Sequence, residues 1–105
     1  MSQLVATATA QLRAALENAM NQAIQKGRLP QAPLPEIQLE VPADRSHGDW
    51  SCNAAMAGAR TFRTAPQKIA QAIQENLDLS GTYFQTCEIA GPGFLNFTYD
   101  PRFYG

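Results

Sequence analysis

Two side chains suited to nucleobase recognition follow a glycine-proline-glycine turn near the end of the chain. Gly91, Pro92 and Gly93 fit a tight turn, because proline presets φ to about −65° at the first central position and glycine accepts the positive φ of a type II turn at the second. Successive residues alternate between the faces of a strand, and Phe94 and Asn96 therefore share one face. A ring that can stack, beside an amide that donates and accepts, suits an unstacked RNA base. The alternative for Phe94 is a core aromatic at the hairpin end.

A second group of chemically active side chains lies within six residues. Cysteine with histidine, or serine with histidine and aspartate, are the parts of nucleophilic active sites. Nucleophile and base usually come from separate elements that meet in space, however, and one loop with a helix cap explains the group better. We therefore expect no catalytic residue here. The group comprises His47, Asp49, Ser51 and Cys52.

Metal and phosphate-loop sites lack their ligands. One histidine and two distant cysteines do not make a zinc site. The glycine-proline-glycine turn is not followed by the lysine and hydroxyl residue of a phosphate loop, and it opens a strand rather than a helix. We expect this chain to hold no metal and no cofactor of its own.

Basic side chains concentrate between the first predicted strand and the middle of the third predicted helix. The acids in the same stretch are Asp44 and Asp49, and four basic residues less two acids leave an excess of two positive charges. Charge pattern alone favours a solvated face. The alternative is a phosphate-binding patch beside the face that carries Phe94. The four basic residues are Arg45, Arg60, Arg63 and Lys68.

Length and charge limit the class of protein. A chain of 105 residues is expected to form one domain with its own core. Its formal net charge of −1 excludes a strongly basic nucleic-acid-binding domain, and any RNA contact must be local. No apolar run could span a membrane and no secretory segment opens the chain, which predicts a cytoplasmic protein. Cys52 and Cys87 are expected to be reduced and buried, a disulfide between them being the alternative.

The first half of the chain predicts one helix and one strand. Apolar residues recur at three- and four-residue intervals from Leu4 to Ile24, and Gly27 ends this helix. Three prolines then predict an extended connector. Strict alternation over 36–41 predicts a strand that places Val41 inward and ends at Pro42.

The second half predicts two helices and a hairpin. Residues 43–53 are interpreted as a loop whose Asp49 or Ser51 caps a short helix over 52–60. Thr64 to Gln67 form a capping box, with proline early in the first turn of the next helix. Segments 83–89 and 94–99 are the strands of the hairpin, with Leu95, Phe97 and Tyr99 facing the core. The expected fold is an α+β domain, in which helices pack on one face of a small antiparallel sheet of three to four strands.

The order and spacing of these features resemble the N-terminal additional domain of arginyl-tRNA synthetase. The resemblance runs from about Leu34 to Tyr99, and it is specific as a series although no single piece is decisive. The matching pieces are Glu40-Val41-Pro42, Gly48-Asp49, Asn53-Ala54-Ala55-Met56, Pro66, Ile69-Ala70, Ile73 and Ala90-Gly91-Pro92-Gly93-Phe94-Leu95-Asn96-Phe97.

The resemblance implies a role in tRNA recognition. In that family the domain precedes a Rossmann-type catalytic domain and contacts the D-loop at the outer corner of the tRNA. The aromatic residue and the amide after the turn hold a D-loop base there, and the matching positions are Phe94 and Asn96. The implied partners are tRNA for arginine, whose phosphates would meet Arg45, Arg60 or Arg63, and the catalytic domain of the same enzyme.

The chain lacks the family's catalytic parts. No HIGH-type or KMSK-type ATP motif is present, and several hundred residues would be needed to bind ATP, arginine and the tRNA acceptor end. Residues 1–105 are therefore expected to be a single recognition domain, excised from an enzyme that uses ATP, and unable to charge tRNA alone. Trp50 and Cys52 differ from the residues expected at their positions.

Two further hypotheses belong to other classes. In the first, the domain is a protein-docking or structural unit and Phe94 is an interface anchor. In the second, it is a small thiol hydrolase that uses Cys52 and His47. Salt dependence separates RNA binding from an apolar interface, because contacts between arginine and phosphate weaken as salt rises.

Overall fold

The computed structural model describes residues 3–42 and 48–101. Within them the chain forms helices packed on a four-stranded antiparallel sheet, which confirms the predicted α+β fold. None of the described helices is long and apolar enough to cross a bilayer. The elements in chain order are α1 (Gln3–Gln25), β1 (Leu39–Glu40), β2 (Trp50–Cys52), α2 (Ala54–Phe62), α3 (Pro66–Asn76), β3 (Phe84–Ala90) and β4 (Phe94–Tyr99).

The sheet has the strand order β1-β2-β4-β3, and every pair of neighbours is antiparallel. The predicted hairpin is confirmed, since β3 and β4 pair over their length apart from an irregularity between Phe84 and Thr86. β2 inserts between β1 and β4, and it pairs Ser51 with Asn96. The site residues of β4 therefore lie at the centre of the sheet.

One face of the sheet carries the hydrophobic core. Leu95 and Phe97 of β4 are fully buried, as the hairpin predicted, and Cys52 of β2 is nearly so. Helices α2 and α3 pack over this face, and α1 packs against α3. Burying a large apolar side chain stabilises a fold by about 1.5–3 kcal/mol. The fully buried helix residues include Ala8, Leu12, Leu16, Ala19, Met20, Ala23, Ala54, Ala55, Ile69, Ala70 and Ile73.

Helix α1 has the predicted extent, and Gly27 follows it with a φ of 78° that few other residues adopt. Two contacts tie the end of α1 to the end of α3. Arg28 forms an exposed ion pair with Glu75, and the Nζ of Lys26 donates to the Oδ1 of Asn76 at 2.8 Å. The proline-rich connector therefore leaves α1 packed on the domain.

The first strand is shorter than predicted. Only Leu39 and Glu40 pair, because β2 offers three residues and the amide of Gln38 donates to the Oδ1 of Asn53 instead. Ile37 is buried as expected. Val41 was predicted to face inward, which is wrong: pairing ends before it and 52% of its surface is exposed.

The segment interpreted as a loop contains β2. The amide of Asp49 donates to the carbonyl of Phe97 at 2.8 Å, and an Oδ2 of Asp49 accepts from the amide of Tyr99 at 2.9 Å. Gly48 has a φ of 119°, and a Cβ there would lie 2.8 Å from the oxygen of Phe97. Asp49 and Ser51 therefore connect the strands rather than cap a helix, and that prediction was wrong.

Both helix-start predictions need correction. Helix α2 begins at Ala54 rather than at residue 52, and its N-cap Asn53 makes no capping hydrogen bond through its side chain. The N-cap of α3 is Ala65, because the hydroxyl of Thr64 donates to the carbonyl of Phe62 at 2.8 Å. The capping box was therefore wrong, although proline does open α3 as predicted.

Candidate nucleic-acid interface

The glycine-proline-glycine turn joins β3 to β4 one residue earlier than predicted. The amide of Gly93 donates to the carbonyl of Ala90 at 3.4 Å, which makes Gly91 and Pro92 the central residues. Gly91 has a φ of 58° and Gly93 a φ of 145°. Both positions favour glycine, because other residues adopt such backbone conformations at a cost.

Helix α3 lies directly against this turn. A Cβ on Gly93 would come within 2.8 Å of the Cβ of Pro66. The Nε2 of Gln67 donates to the carbonyl oxygen of Gly91 at 3.2 Å. The turn is therefore held by the first residues of α3 as well as by the two strands that it joins.

The two predicted recognition residues lie on the outer face of β4, opposite the core residues. Phe94 is half-buried, and Asn96 is 7% exposed. Asn96 pairs with Ser51 on one side and with Glu88 on the other, and Ser51 pairs with Glu40. Paired residues share a face and have Cβ atoms about 4.5–5.5 Å apart. A polar row of four residues therefore crosses the face that the helices leave uncovered.

Phe94 and Asn96 line the same open groove of about 590 Å³. That volume lies within the range of about 300–1,000 Å³ that is usual for small-molecule sites. Phe94 supplies an aromatic wall, while Asn96 and Ser51 supply polar groups at its base. Among the described residues, the groove lining is Glu40, Val41, Pro42, Ser51, Ala90, Gly91, Pro92, Phe94 and Asn96.

The predicted arginines do not line this groove. Arg60 lies in the last turn of α2 and Arg63 follows it, both with exposed side chains. The chain then leads within three residues to Pro66, which contacts Gly93 of the turn. The groove therefore lies on the outer face of the sheet, while these two arginines belong to the helix layer that packs on its other face. Arg45 lies outside the described residues.

Arg63 adopts an unusual backbone conformation. Its φ is 50° and its ψ is 44°, the left-handed region in which helices commonly end on glycine. The amide of Arg63 is directed at the carbonyls of Ala59 and Arg60. A side chain in this region costs about 1–2 kcal/mol. An arginine is therefore kept where glycine would be less strained.

Among the nine described residues that line the groove, four were not predicted to belong to a site: Glu40, Val41, Pro42 and Ser51. The segment around Ser51 was interpreted as a loop. The alternation of Trp50, Ser51 and Cys52 between the two faces was the available signal, and three residues are too few to predict a strand. The indole nitrogen of Trp50 donates to the hydroxyl of Tyr99 at 2.6 Å, which fixes the start of β2.

The cysteines have the environment of buried structural thiols. Cys52 is 1% exposed, its Sγ accepts from the amide of Ala54, and burial raises its pKa to about 11. Burial likewise raises the pKa of Cys87 to about 12. Both are free thiols, on β2 and β3 with β4 between them, so the disulfide alternative is wrong. A thiol in this state is a poor nucleophile, and His47, the other half of the hydrolase hypothesis, lies outside the described residues.

Comparison with known proteins gives a consistent family. The model of the family described as arginyl tRNA synthetase N terminal domain matches residues 10–99 of this chain. An arginine–tRNA ligase of Acetivibrio thermocellus is 43% identical over 97 residues, which cover 92% of this chain and 17% of that protein. One from Desulforamulus reducens is 45% identical over 101 residues, which cover 96% of this chain and 18% of that protein. The chain thus spans less than a fifth of the length of these relatives.

Two solved structures share the fold. The arginyl-tRNA synthetase of Thermus thermophilus is 28% identical with a TM-score of 0.57, over 85% of this chain and 14% of that one. The synthetase of Plasmodium falciparum is 20% identical with a TM-score of 0.59, over 81% of this chain and 15% of that one, a likeness that concerns the fold alone. By family match and by sequence identity, the chain belongs to the arginyl-tRNA synthetase N-terminal domains.

Proposed function

We propose that this chain is the tRNA-recognition domain of an arginine–tRNA ligase, and that it binds the D-loop at the outer corner of tRNA for arginine. The observation that carries the proposal is the shared groove: Phe94 and Asn96 line one open cleft on the sheet face that the helices leave uncovered. A flat base can enter such a cleft edge first, with its ring against the phenyl group.

The two residues have different tasks in this mechanism. Phe94 stacks on an unstacked D-loop base, an interaction worth about 1–3 kcal/mol. The amide of Asn96 donates to and accepts from the edge of that base. Asn96 is 7% exposed and central in the sheet, so its side chain has little freedom to move away from the groove before RNA arrives. Stacking alone gives weak binding, and we expect low affinity for the isolated chain.

The phosphates are proposed to lie on the other side of the turn, near Arg60 and Arg63. Glu40 lines the groove and Glu88 is exposed in the same polar row, and these carboxylates repel an RNA backbone. The exposed arginines lie on the helix side of the turn and attract it. Arg45 is proposed as a third phosphate contact, three residues after Pro42 of the groove lining.

The remaining proposals concern the whole protein. The relatives are named arginine–tRNA ligases, and we extend that activity to the whole protein: an attached catalytic domain would bind ATP and arginine and charge the tRNA. This chain would contribute binding and orientation rather than chemistry, and the enzyme would act in the cytoplasm. The partners of the chain are then tRNA for arginine and that catalytic domain.

The test is an NMR titration of the isotope-labelled chain with tRNA for arginine, at low and at moderate salt. We expect shifts around Phe94, Asn96, Arg60 and Arg63 that shrink as salt rises, since each phosphate contact on a single strand contributes a logarithmic salt slope of about −0.7. A tRNA with an altered D-loop should lose the shifts near Phe94. If no surface responds to either tRNA, the proposal fails.

The groove lining also favours a second candidate, a docking surface for another protein domain. Val41 is 52% exposed beside the groove, and most of the lining is apolar. Phe94 would then anchor an apolar interface. A surface of this kind would give no shifts around Phe94 with either tRNA, and its binding to a protein partner would persist at moderate salt, because it does not depend on contacts between arginine and phosphate. Absence of tRNA-induced shifts at the groove therefore separates this candidate from the first.

A further inference from the structure

We propose that Gln67, at the start of α3, is a positioning residue that holds the glycine-proline-glycine turn and thereby sets the ring of Phe94 for its ligand. This inference rests on the proposed function for its consequence, but its structural half concerns the free chain. Gln67 does not line the groove, although its partner Gly91 does.

A side-chain hydrogen bond joins α3 to the turn. The Nε2 of Gln67 donates to the carbonyl of Gly91 at 3.2 Å, across 24 positions of sequence. Gly91 belongs to the turn rather than to either strand, and no strand partner pairs with it. The side chain of Gln67 is exposed and long, and ordering it costs conformational entropy. When made, this bond joins the turn to α3 at a residue that the strands do not hold.

Gly93 packs closely against Pro66. A Cβ on this residue would lie 2.8 Å from the Cβ of Pro66 and 3.2 Å from its carbonyl carbon. The turn thus approaches α3 so closely that there is no room for a methyl group. Pro66 and Gln67 hold the two glycines that flank Pro92, and the turn has little freedom to rotate against the helix.

The turn also lies beside the aromatic ring of Phe94. A Cβ on Gly91 would lie 3.7 Å from Cδ2 of Phe94, which places the ring beside Gly91. The carbonyl that Gln67 holds and the backbone beside the ring belong to the same residue. A turn that shifted at Gly91 would carry away one side of the ring's support. A ring that is already ordered loses less entropy when it stacks on a ligand.

The experiment replaces Gln67 by methionine. Gln67→Met keeps the length and the helix propensity of the side chain and removes the donor. The matched control is Gln71→Met, one turn further along α3 at another exposed glutamine. Amide and aromatic NMR signals of the free chain are compared first, and affinity for tRNA for arginine is then measured with and without Phe94→Ala.

In the free chain, we expect Gln67→Met to move the signals of Gly91, Gly93 and the Phe94 ring, and to lower the urea unfolding midpoint by no more than the loss of one exposed hydrogen bond. Gln71→Met should leave these signals in place. If Gln67→Met moves none of them, the positioning role is overturned, whatever the chain does with RNA.

In tRNA binding, we expect Gln67→Met to weaken affinity about three- to tenfold, because a ring that is no longer held must be ordered when it stacks, and immobilising one side chain has a cost of this size. In the Phe94→Ala background it should have no further effect, because the ring through which it acts is gone. An equal loss in both backgrounds would mean that Gln67 touches RNA itself, and it would overturn the positioning role.

The stacking role of Phe94 and the positioning role of Gln67 can be disproved separately. If Phe94→Ala leaves tRNA affinity unchanged, the proposed stacking fails, and the inferred consequence for binding fails with it. If Phe94→Ala weakens binding but Gln67→Met leaves both the turn signals and the affinity unchanged, the stacking proposal stands and the inference about Gln67 alone is wrong.

Discussion

The two faces of β4 use the same alternating backbone for opposite purposes. On the inner face, Leu95 and Phe97 are fully buried under the helices. On the outer face, Phe94 and Asn96 lie in a groove that no helix covers. Two phenylalanines three residues apart thus occupy very different surroundings, one completed by the fold and one left open. The difference indicates which aromatic is kept for stability and which is available to a ligand.

We expect the largest loss of stability from truncating Phe97 on the inner face. Phe97→Ala removes a ring that is fully buried and packs edge-to-face against Phe84 at 6.1 Å between centroids. Truncation of a buried phenylalanine costs about 3–5 kcal/mol, a large part of the roughly 5–15 kcal/mol that stabilises a domain. Urea unfolding measures the loss. Phe94→Ala is the control, and a loss of equal size there would contradict the division between the two faces.

On the outer face, we expect truncation of Phe94 to lower the affinity for tRNA. Phe94→Ala should weaken binding of tRNA for arginine by about 1–3 kcal/mol, because one base stack is lost. Titration of the chain with the tRNA, followed by NMR, measures the change. Thr86→Ala, an exposed outer-face residue on β3 beyond the groove lining, is the matched control. Unchanged affinity in Phe94→Ala would favour a packing role for this ring.

Elements with a long, local sequence pattern could be predicted. Helix α1 carries an apolar stripe over six turns, and this stripe predicted the helix. The hairpin has alternating residues on both sides of a turn, and this alternation predicted both strands and placed Phe94 and Phe97 on opposite faces. The polar row could not be predicted. It depends on β2, a strand of three residues that forms by pairing with β1 and with β4, and β4 is far away in the sequence.

Capping was predicted from side-chain types alone, and tertiary contacts overrode it. Asp49 bonds to the amide of Tyr99 on the neighbouring strand, and Gln67 bonds to the turn instead of closing a capping box. Both residues had a local partner in the sequence pattern and found a distant one in the fold. Residues that prefer local bonds thus became the links that position the groove, which no local pattern could reveal.

A smaller effect tests the contact between the turn and α3. Gly93→Ala should destabilise the domain by about 1 kcal/mol more than Gly81→Ala, because an added methyl group meets Pro66 only at residue 93. Gly81 has a φ of 79° and nothing within 4 Å of the added Cβ, whereas Gly93 has a φ of 145°, so the difference between the two variants combines the contact with Pro66 and the greater backbone strain at residue 93. Equal losses, measured by urea unfolding, would show that the turn does not need this close approach.

The smallest effect contrasts the two faces of β2, where Cys52 faces the core and Ser51 the groove. Burial raises the pKa of Cys52 from 9.0 to about 11, so the unfolded chain releases the thiol proton at lower pH than the folded chain. The stabilisation is fully present below pH 9 and is lost as pH rises from about 9 to 11, and it falls by about 1 kcal/mol at pH 10. Urea unfolding at pH 7 and pH 10 measures this, with Cys52→Ala as the reference that lacks the thiol.

Ser51→Ala should keep the full pH dependence of the unaltered chain, because a hydroxyl does not titrate in this range. If Cys52→Ala keeps it as well, the thiol at residue 52 is not held neutral by the core.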